Sequence, residues 1–277
     1  MSERRKLLQR LRQLADIRDI MDAMKNLALA EIFKLKPRLE NQQQMVVDLE
    51  RMAADFLNFN PYSCTGTNAA ISIWVLFGSE RGFCGDFNEA LAKKTSEQLQ
   101  TTASQTYIIL TGNKLSHRFA ENLDHIRVID GADVAEEVPA VLNRIVDSIG
   151  QLQTQFHTVN VDAIFHDTYT GQITSKQLLP PFQSLPKQSD QHRIPPFLYI
   201  PPADFFSLLV DEYLYVALHE IAYMSLLVEN NKRIQHMTGA LQRLDEKSRG
   251  LTRQYHFHRQ EEITQEIEVI LLNTANI

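Results

Sequence analysis

The sequence predicts an α/β fold class in which a long antiparallel coiled coil of N- and C-terminal helices flanks a central α/β domain. Three observations carry this reading. All ten glycines lie at or after Gly66, so residues 1–65 hold none. Seven of the ten prolines fall between Pro180 and Pro202. From Ala203 to Ile277 there is no proline, and only Gly239 and Gly250. Glycine and proline are the main interrupters of helices. The chain therefore divides into an N-terminal helix (1–60), a mixed middle (61–202) and a C-terminal helix (203–277).

The N-terminal helix is expected over Glu3–Asn58. Leu7, Leu11, Leu14, Met21, Met24, Ala28, Ile32 and Leu35 recur at steps of three, four and seven, which is one stripe on a helix. Pro37 lacks an amide donor and its ring clashes with the preceding turn, so a kink or short break is expected there. In the C-terminal segment Ile234, Met237, Leu241, Leu244, Leu251 and Tyr255 follow a heptad seam, with Ser248 filling one position. A steady seam asks for a coiled-coil partner.

The middle alternates strand and helix. Ala70–Phe77, Tyr107–Leu110, His125–Ile129, Val159–His166 and Ile173–Leu179 read as strands. Phe87–Gln100, Lys114–Asn122 and Ala132–Gln153 read as helices. That alternation implies a Rossmann-like domain with a mainly parallel sheet. Gln183–Arg193 is polar and flanked by prolines, hence a loop.

Composition narrows the function classes. Of 277 residues, 44% are apolar and 22% charged, as in ordinary globular proteins, which excludes a disordered or collagen-like chain. A net charge of −6 argues against a dedicated nucleic-acid binder. Cys64 and Cys84 are too few for a disulfide framework. The longest apolar runs, such as Ile73–Phe77 and Tyr213–Leu218, fall far short of the roughly 20 residues a membrane span needs. Arg4, Arg5, Lys6, Arg10 and Arg12 among leucines have the look of a presequence. Asp16, Asp19 and Asp22 follow at once and the helical pattern runs on, so a basic amphipathic helix held by a partner is the preferred reading.

Lengths then suggest a rod with a head. A C-terminal helix of about seventy residues would reach about 105 Å at 1.5 Å per residue, more than a domain of the middle's size can cover. Its natural cover is the N-terminal helix. If Asn58 and Ala203 are level, that helix runs out near His258. The last ~19 residues, about 28 Å of helix, then protrude with Ile263, Ile267, Val269, Ile270, Leu271 and Leu272 uncovered. A lone apolar helix is marginal in water and aggregates. A protein sleeve around the tip resolves this.

Ser79-Glu80-Arg81-Gly82-Phe83-Cys84-Gly85-Asp86-Phe87-Asn88 directly follows the first strand. It lacks the spacing of a phosphate-binding loop, and no histidine pattern makes Cys84 a nucleophile. As a plain turn it joins strand to helix. It also resembles the turn S-[DE]-R-G-[LF]-C-G-x-x-N of the γ subunits of rotary F-type ATP synthases. Ala23-Met24-Lys25 is similar to that family's A-M-[KE] segment, and Tyr199-Ile200-Pro201 with Asp204–Leu214 to its entry into the last helix. Glu229-Asn230, Arg233 and Met237 fit its E-N-x-x-R-M-x-x-M region, with Ile234 in place of the first Met. Arg259-Gln260 through Ile263-Thr264 to Glu266-Ile267 matches R-Q-x-x-I-T-x-E-I. Pro37, Tyr255-His256-Phe257-His258, Thr238–Lys247 and the ending Leu271–Asn276 depart from the family pattern, which suggests a divergent or alternative-type bacterial branch.

The resemblance implies a non-catalytic rotor: a central stalk turning inside a hexamer of α and β subunits. Its head would rest against the ε subunit and the c-subunit ring. Rotation would couple proton or sodium flow to ATP synthesis or hydrolysis, with catalysis in the β subunits. It implies no cofactor, no metal, no nucleic acid, and a place at the cytoplasmic face of the bacterial inner membrane reached only through the complex. Contact with a β-subunit loop and bearing falls to Arg259, Gln260, Thr264, Glu266, Met24 and Lys25. The head-domain turn is marked by Arg81, Gly82, Cys84 and Gly85. On their own, Arg259 and Glu266 read as solvated charges and Met21, Met24 and Met237 as seam residues. His256 and His258, two apart, do not share a helix face as metal ligands would. Two other classes stand beside this one. An α/β enzyme with helical extensions would have His166-Asp167 as its best acid–base candidate. A coiled-coil scaffold or adaptor with an α/β head would keep the heptads but leave the R-Q-x-x-I-T motif unexplained.

Overall fold

The computed structural model describes residues 3–60, 71–102, 105–119, 125–183 and 197–275. The expected loop Gln183–Arg193 lies outside them apart from Gln183, as does Cys64. The elements, in chain order, are α1 (Glu3–Phe59), β1 (Ile71–Phe77), α2 (Phe87–Thr101), β2 (Thr106–Thr111), α3 (Asn113–Phe119), β3 (Ile126–Ile129), α4 (Val138–Phe156), β4 (Val159–His166), β5 (Ile173–Leu179) and α5 (Pro202–Ala275). The chain divides into two compact units, Met1–Leu29 with Arg233–Ile277, and Ala30–Lys232.

α1 is unbroken through Pro37, so the expected break is absent. The reason lies in the exposure pattern. Pro37 and Phe33, whose carbonyl loses its donor, are both on the exposed face, where water can take that carbonyl. Leu35 and Leu39 on either side of the proline are buried and hold the helix by packing. The stretch expected as a single helix over Ala132–Gln153 instead begins with a short 3-10 turn, Ala135–Glu137, and α4 follows it. Pro139, in the first turn of α4, is at a position that needs no amide donor.

In the larger unit the strand order is β3-β2-β1-β4-β5. The first four are parallel, and β5 pairs antiparallel with β4 along one edge. Trp74, Leu76, Ile108, Leu110 and Ile164 point to the face covered by Leu91 of α2 and Leu115 and Phe119 of α3. Phe77 on the opposite face lines a small cavity together with Val138, Val141 and Leu142 of α4 and Ala222 and Leu226 of α5. Full burial of each such side chain contributes roughly 1.5–3 kcal/mol, so the sheet is fixed from both faces. Within this unit α1 and α5 run antiparallel: Gln42 donates to the Val216 carbonyl (3.1 Å), Tyr213 to Glu50 (3.4 Å), and Phe56 packs on Phe205 with ring centroids 4.9 Å apart. Glu31 accepts the Ala135 amide at 2.6 Å, and Arg38 pairs with Glu136 at 2.9 Å, so α1 also seats the turn before α4.

In the smaller unit the partner number falls as the α1 number rises. Arg18 meets Asp245 at 3.0 Å and Arg4 meets Glu262 at 2.7 Å. This is the antiparallel pairing the heptads require. Among the described residues the last such pair is at Glu262, about one turn later than the level of His258 that the length arithmetic suggests. The part of α5 beyond the pairing is correspondingly shorter, about 20 Å for residues 263–275.

Candidate partner-contact surfaces

The turn after β1 is built around one buried amide side chain. Asn88, one residue into α2, accepts the Ser79 amide on its Oδ1 (3.0 Å) and donates to Ser79 Oγ (2.7 Å) and Cys84 Sγ (3.8 Å). Ser79 Oγ in turn donates to the Arg81 carbonyl (2.9 Å) and lies 3.4 Å from Cys84 Sγ. Gly85, with φ +62°, supplies the left-handed step that brings the chain into α2. Phe83 takes a similar φ of 64° with a full side chain, at a cost of about 1 kcal/mol. Cys84 is buried, so its thiol is a packing element of this turn. Arg81 is exposed and pairs with Asp133 at 2.7 Å; Gly82 is half-buried beside it. Arg81, Gly82, Cys84 and Gly85 lie in the segment between β1 and α2, and the residues that organise it, Asn88 and Ser79, come from the same motif.

Glu80 is the larger surprise. Its carboxylate accepts the Asn113 amide at the start of α3 (3.1 Å), the Asn113 side chain, and the Gly131 amide (2.8 Å). Burial works against its charge, but these three donors outweigh it and hold the carboxyl below its ordinary value. Nothing in the sequence signalled this. The two segments that Glu80 ties down lie 33 and 51 positions further along the chain. At the other end of the turn Asp86 pairs with Lys232 of α5 at 2.8 Å, and that hydrogen bond lowers the Asp86 pKa.

The enzyme candidate His166-Asp167 is otherwise engaged. His166 is buried, stacks on Phe87 with centroids 4.1 Å apart and donates from Nε2 to the Phe87 carbonyl at 2.8 Å. Burial lowers its pKa and keeps the ring neutral. Asp167 caps the following turn by accepting the Tyr169 amide (2.9 Å) and the Thr170 hydroxyl (2.9 Å).

In the smaller unit Arg259, Gln260, Thr264 and Glu266 are all exposed on α5. Thr264 spends its proton on the Gln260 carbonyl at 2.9 Å and keeps its lone pairs for an outside donor. Because the pairing runs to Glu262, Arg259 and Gln260 sit within the two-helix segment, and Thr264 and Glu266 beyond it. Met24 and Lys25 are half-buried on α1, and Lys25 pairs with Asp22 at 3.1 Å. The antiparallel register sets Met24 opposite a level near Gly239, roughly 30 Å along the helices from Arg259 at 1.5 Å per residue. The six expected contact residues thus form two separate surfaces. His258 meets Glu261 at 3.1 Å. Among the described residues no group of three or more His, Cys, Asp or Glu side chains could hold a metal ion, and no helix is long and apolar enough to cross a membrane.

Comparison with known proteins agrees with this architecture. The chain is 23% identical over 273 residues to the ATP synthase gamma chain of Clostridium botulinum (strain Langeland), covering 95% of this chain and 94% of that one. The rotor of the Euglena gracilis mitochondrial ATP synthase superposes with a TM-score of 0.60 at 13% identity, covering 94% of this chain and 98% of that one. A chain of the central stalk and c-ring of the Tetrahymena thermophila mitochondrial ATP synthase gives 0.59 at 18% identity, over 80% of this chain and 99% of that one. A profile of the ATP synthase family matches residues 3–273, and by that match the chain belongs to this family, as a γ subunit.

Proposed function

We propose that this chain is the central-stalk rotor of an F-type ATP synthase, turning inside a hexamer of α and β subunits and coupling ion flow through a c-subunit ring to the nucleotide states of that hexamer. The observation that carries the reading is the family match over residues 3–273 falling on a chain whose two terminal helices pair antiparallel. The chain itself supplies no catalytic group in this reading. The best acid–base candidate, His166 with Asp167, is committed to the contacts described above. The larger unit serves as the head against the ε subunit and c-ring. Association with the membrane, at the cytoplasmic face of the bacterial inner membrane, runs through the complex.

Torque enters through exposed groups that meet the surrounding subunits at one rotary angle and part at others. Arg259 offers a planar fork of donors to carboxylates of a β-subunit loop. Gln260 and Thr264, one turn apart, add neutral hydrogen bonds, and Glu266 adds an acceptor. Met24 and Lys25 belong to a second contact level.

Co-expression with α and β subunits tests this directly. The chain should co-purify with them, and the isolated chain should hydrolyse no ATP. Arg259→Ala with Gln260→Ala should leave assembly intact and lower turnover of the complex several-fold. An isolated chain with robust ATPase activity that its own mutations abolish would refute the stalk role. A double variant that turns over at the wild-type rate under load would remove Arg259 and Gln260 from the contact.

A further inference from the structure

The segment Asp130–Glu137, between β3 and α4, is fastened at both of its ends. Its first half is tied to the sheet. Gly131 donates its amide to Glu80 (2.8 Å), Asp133 pairs with Arg81 (2.7 Å), and Asp130 pairs with Arg144 of α4 (3.2 Å). A Cβ at Gly131 would stand 3.0 Å from the Gly112 Cα, so this half lies directly against the turn after β2. Its second half is tied to α1. Ala135 donates its amide to the buried Glu31 carboxylate (2.6 Å), and Glu136 pairs with Arg38 (2.9 Å) and more loosely with Lys34 (3.7 Å). Glu31, Lys34 and Arg38, at steps of three and four, share one face of α1.

A second tie reaches α1 from the turn between β4 and β5. Tyr169 donates its hydroxyl to Gln43 Oε1 at 2.9 Å, while Asp167 accepts the Tyr169 amide and holds the turn in place. β3 and β4 run parallel in the same sheet, so both ties leave one edge of it. At 3.6 residues per turn Gln43 lies about 140° around α1 from Arg38. Buried Leu35 and Leu39 lie in the arc between them. The head thus grips α1 on both flanks of its packing seam.

These contacts do little for stability. The Arg38 and Glu136 side chains are 40% and 50% exposed, and ion pairs in water contribute little. The hydrogen bond to Glu31 mainly offsets what burial of a carboxylate costs. Their effect is directional. Apolar packing has no preferred direction, so a helix held by its seam alone can roll on its neighbour. A hydrogen bond weakens steeply as its angle departs from linear, so ties on both flanks oppose rolling either way. α5 has separate bonds to the same sheet, from Ser225 to the Phe77 carbonyl (3.1 Å) and from Glu220 to Lys176 (3.1 Å).

We propose that the two ties on α1 are torque clasps, which pass load from the head straight into α1 so that both helices of the stalk are driven. The inference rests on the central-stalk reading and deepens it by assigning the load path inside the chain. The test uses the chain assembled with α and β subunits, the hexamer fixed to a surface and a bead on the head. Glu31→Ala, Arg38→Ala and Tyr169→Phe together release both clasps. With the hexamer stalled by a non-hydrolysable nucleotide, the angular variance of the bead should roughly double, because one helix then bears what two shared. In the membrane-bound complex, ion-driven ATP synthesis should fall several-fold, while the unloaded hexamer hydrolyses ATP at the wild-type rate. Glu31→Gln with Arg38→Lys keeps the acceptor and the ion pair and should match the wild type in angular variance. A triple variant of unchanged angular variance overturns the proposal. So does one that loses unloaded hydrolysis in step with synthesis, which marks a merely structural defect. If the triple variant does not fold, Arg38→Ala with Tyr169→Phe, neither of them a buried position, must still raise the angular variance, and no rise overturns the proposal. Failure of the wild-type chain to assemble with α and β subunits would instead overturn the stalk reading, and this inference would fall with it.

Discussion

Arg4 Nη1 lies 2.7 Å from Glu262 Oε2, although the two residues are 258 positions apart in the chain. The pair marks where the two-helix segment ends. It does not create that segment. Both side chains are more than a third exposed, and such pairs contribute about 0.5 kcal/mol or less. Arg4→Ala should therefore shift the thermal midpoint of the isolated chain only slightly. Replacing buried Met237 by Ala should cost about 2–4 kcal/mol, because it empties a fully buried position. Thermal melts followed by circular dichroism compare the two; a larger loss from Arg4→Ala would make the ion pair, not the seam, the source of register.

Asn88→Ala should cost about 2–3 kcal/mol, since it leaves the buried Ser79 amide without its acceptor and takes away a donor to Ser79 Oγ. Urea unfolding of the chain reads this directly. A change below 0.5 kcal/mol, an order-of-magnitude threshold for ordinary surface substitutions, would show that the turn does not depend on this side chain.

Acid should weaken the larger unit in two windows. Burial holds the folded-state pKa of His166 below its ordinary value, so the unfolded chain takes up a proton first, near pH 6.5. Stability therefore declines as pH falls below about 6.5, until the folded value is reached. Glu80 acts lower. Its pKa is depressed in the fold, so its contribution is complete above about pH 4.3 and is lost as pH falls through the folded value. His166→Gln, which keeps a donor for the Phe87 carbonyl, should shrink the upper window, which His219 shares because burial lowers its pKa too, and Glu80→Gln should shrink the lower one, which Asp86 shares through its hydrogen bond to Lys232. Denaturant midpoints measured from pH 7.5 to 3.5 would expose a variant that leaves its window unchanged.

Two glycine-to-alanine changes should have opposite signs. Gly112 has φ +93°, and a Cβ there would stand 2.5 Å from the Ser79 carbonyl oxygen. Gly112→Ala should destabilise by about 3 kcal/mol or more, through backbone strain and a clash with main chain. Gly250 lies inside α5 with nothing within 4 Å of an added Cβ. Gly250→Ala should stabilise the isolated chain by about 0.5–1 kcal/mol. A melting point that rises for Gly112→Ala or falls for Gly250→Ala contradicts this.

The fold was legible wherever a signal was local. β4 and β5 occupy the ranges their β-branched and apolar runs predict, Val159–His166 and Ile173–Leu179. The distribution of glycine and proline located both long helices to within a residue or two. Pro37 does not break α1, because a proline's effect depends on what surrounds it: Phe33 and Pro37 are on the exposed face, a tertiary fact that residue identity does not carry. The helix pairing reaches Glu262, one turn beyond the level of His258 that the lengths predict. Of the functional surfaces, the turn of Ser79–Asn88 and the exposed Arg259 came from motifs. Glu80 with Asn113 and Gly131, and Glu31 with Ala135, join distant segments whose meeting is set by packing alone.

Open α/β sheets hold their ligands at the carboxyl ends of parallel strands, where helix amides point outward toward an anion. In this chain that edge is already occupied. The carboxylate of Glu80 takes up the amides of Asn113 and Gly131 after β2 and β3, and so acts as a tethered substitute for the phosphate such an edge is shaped to hold. A free nucleotide would have to displace an anion whose effective concentration is set by a covalent tether and whose three hydrogen bonds are already formed. The sheet is self-liganded, its carboxyl edge serving as a fastening between loops.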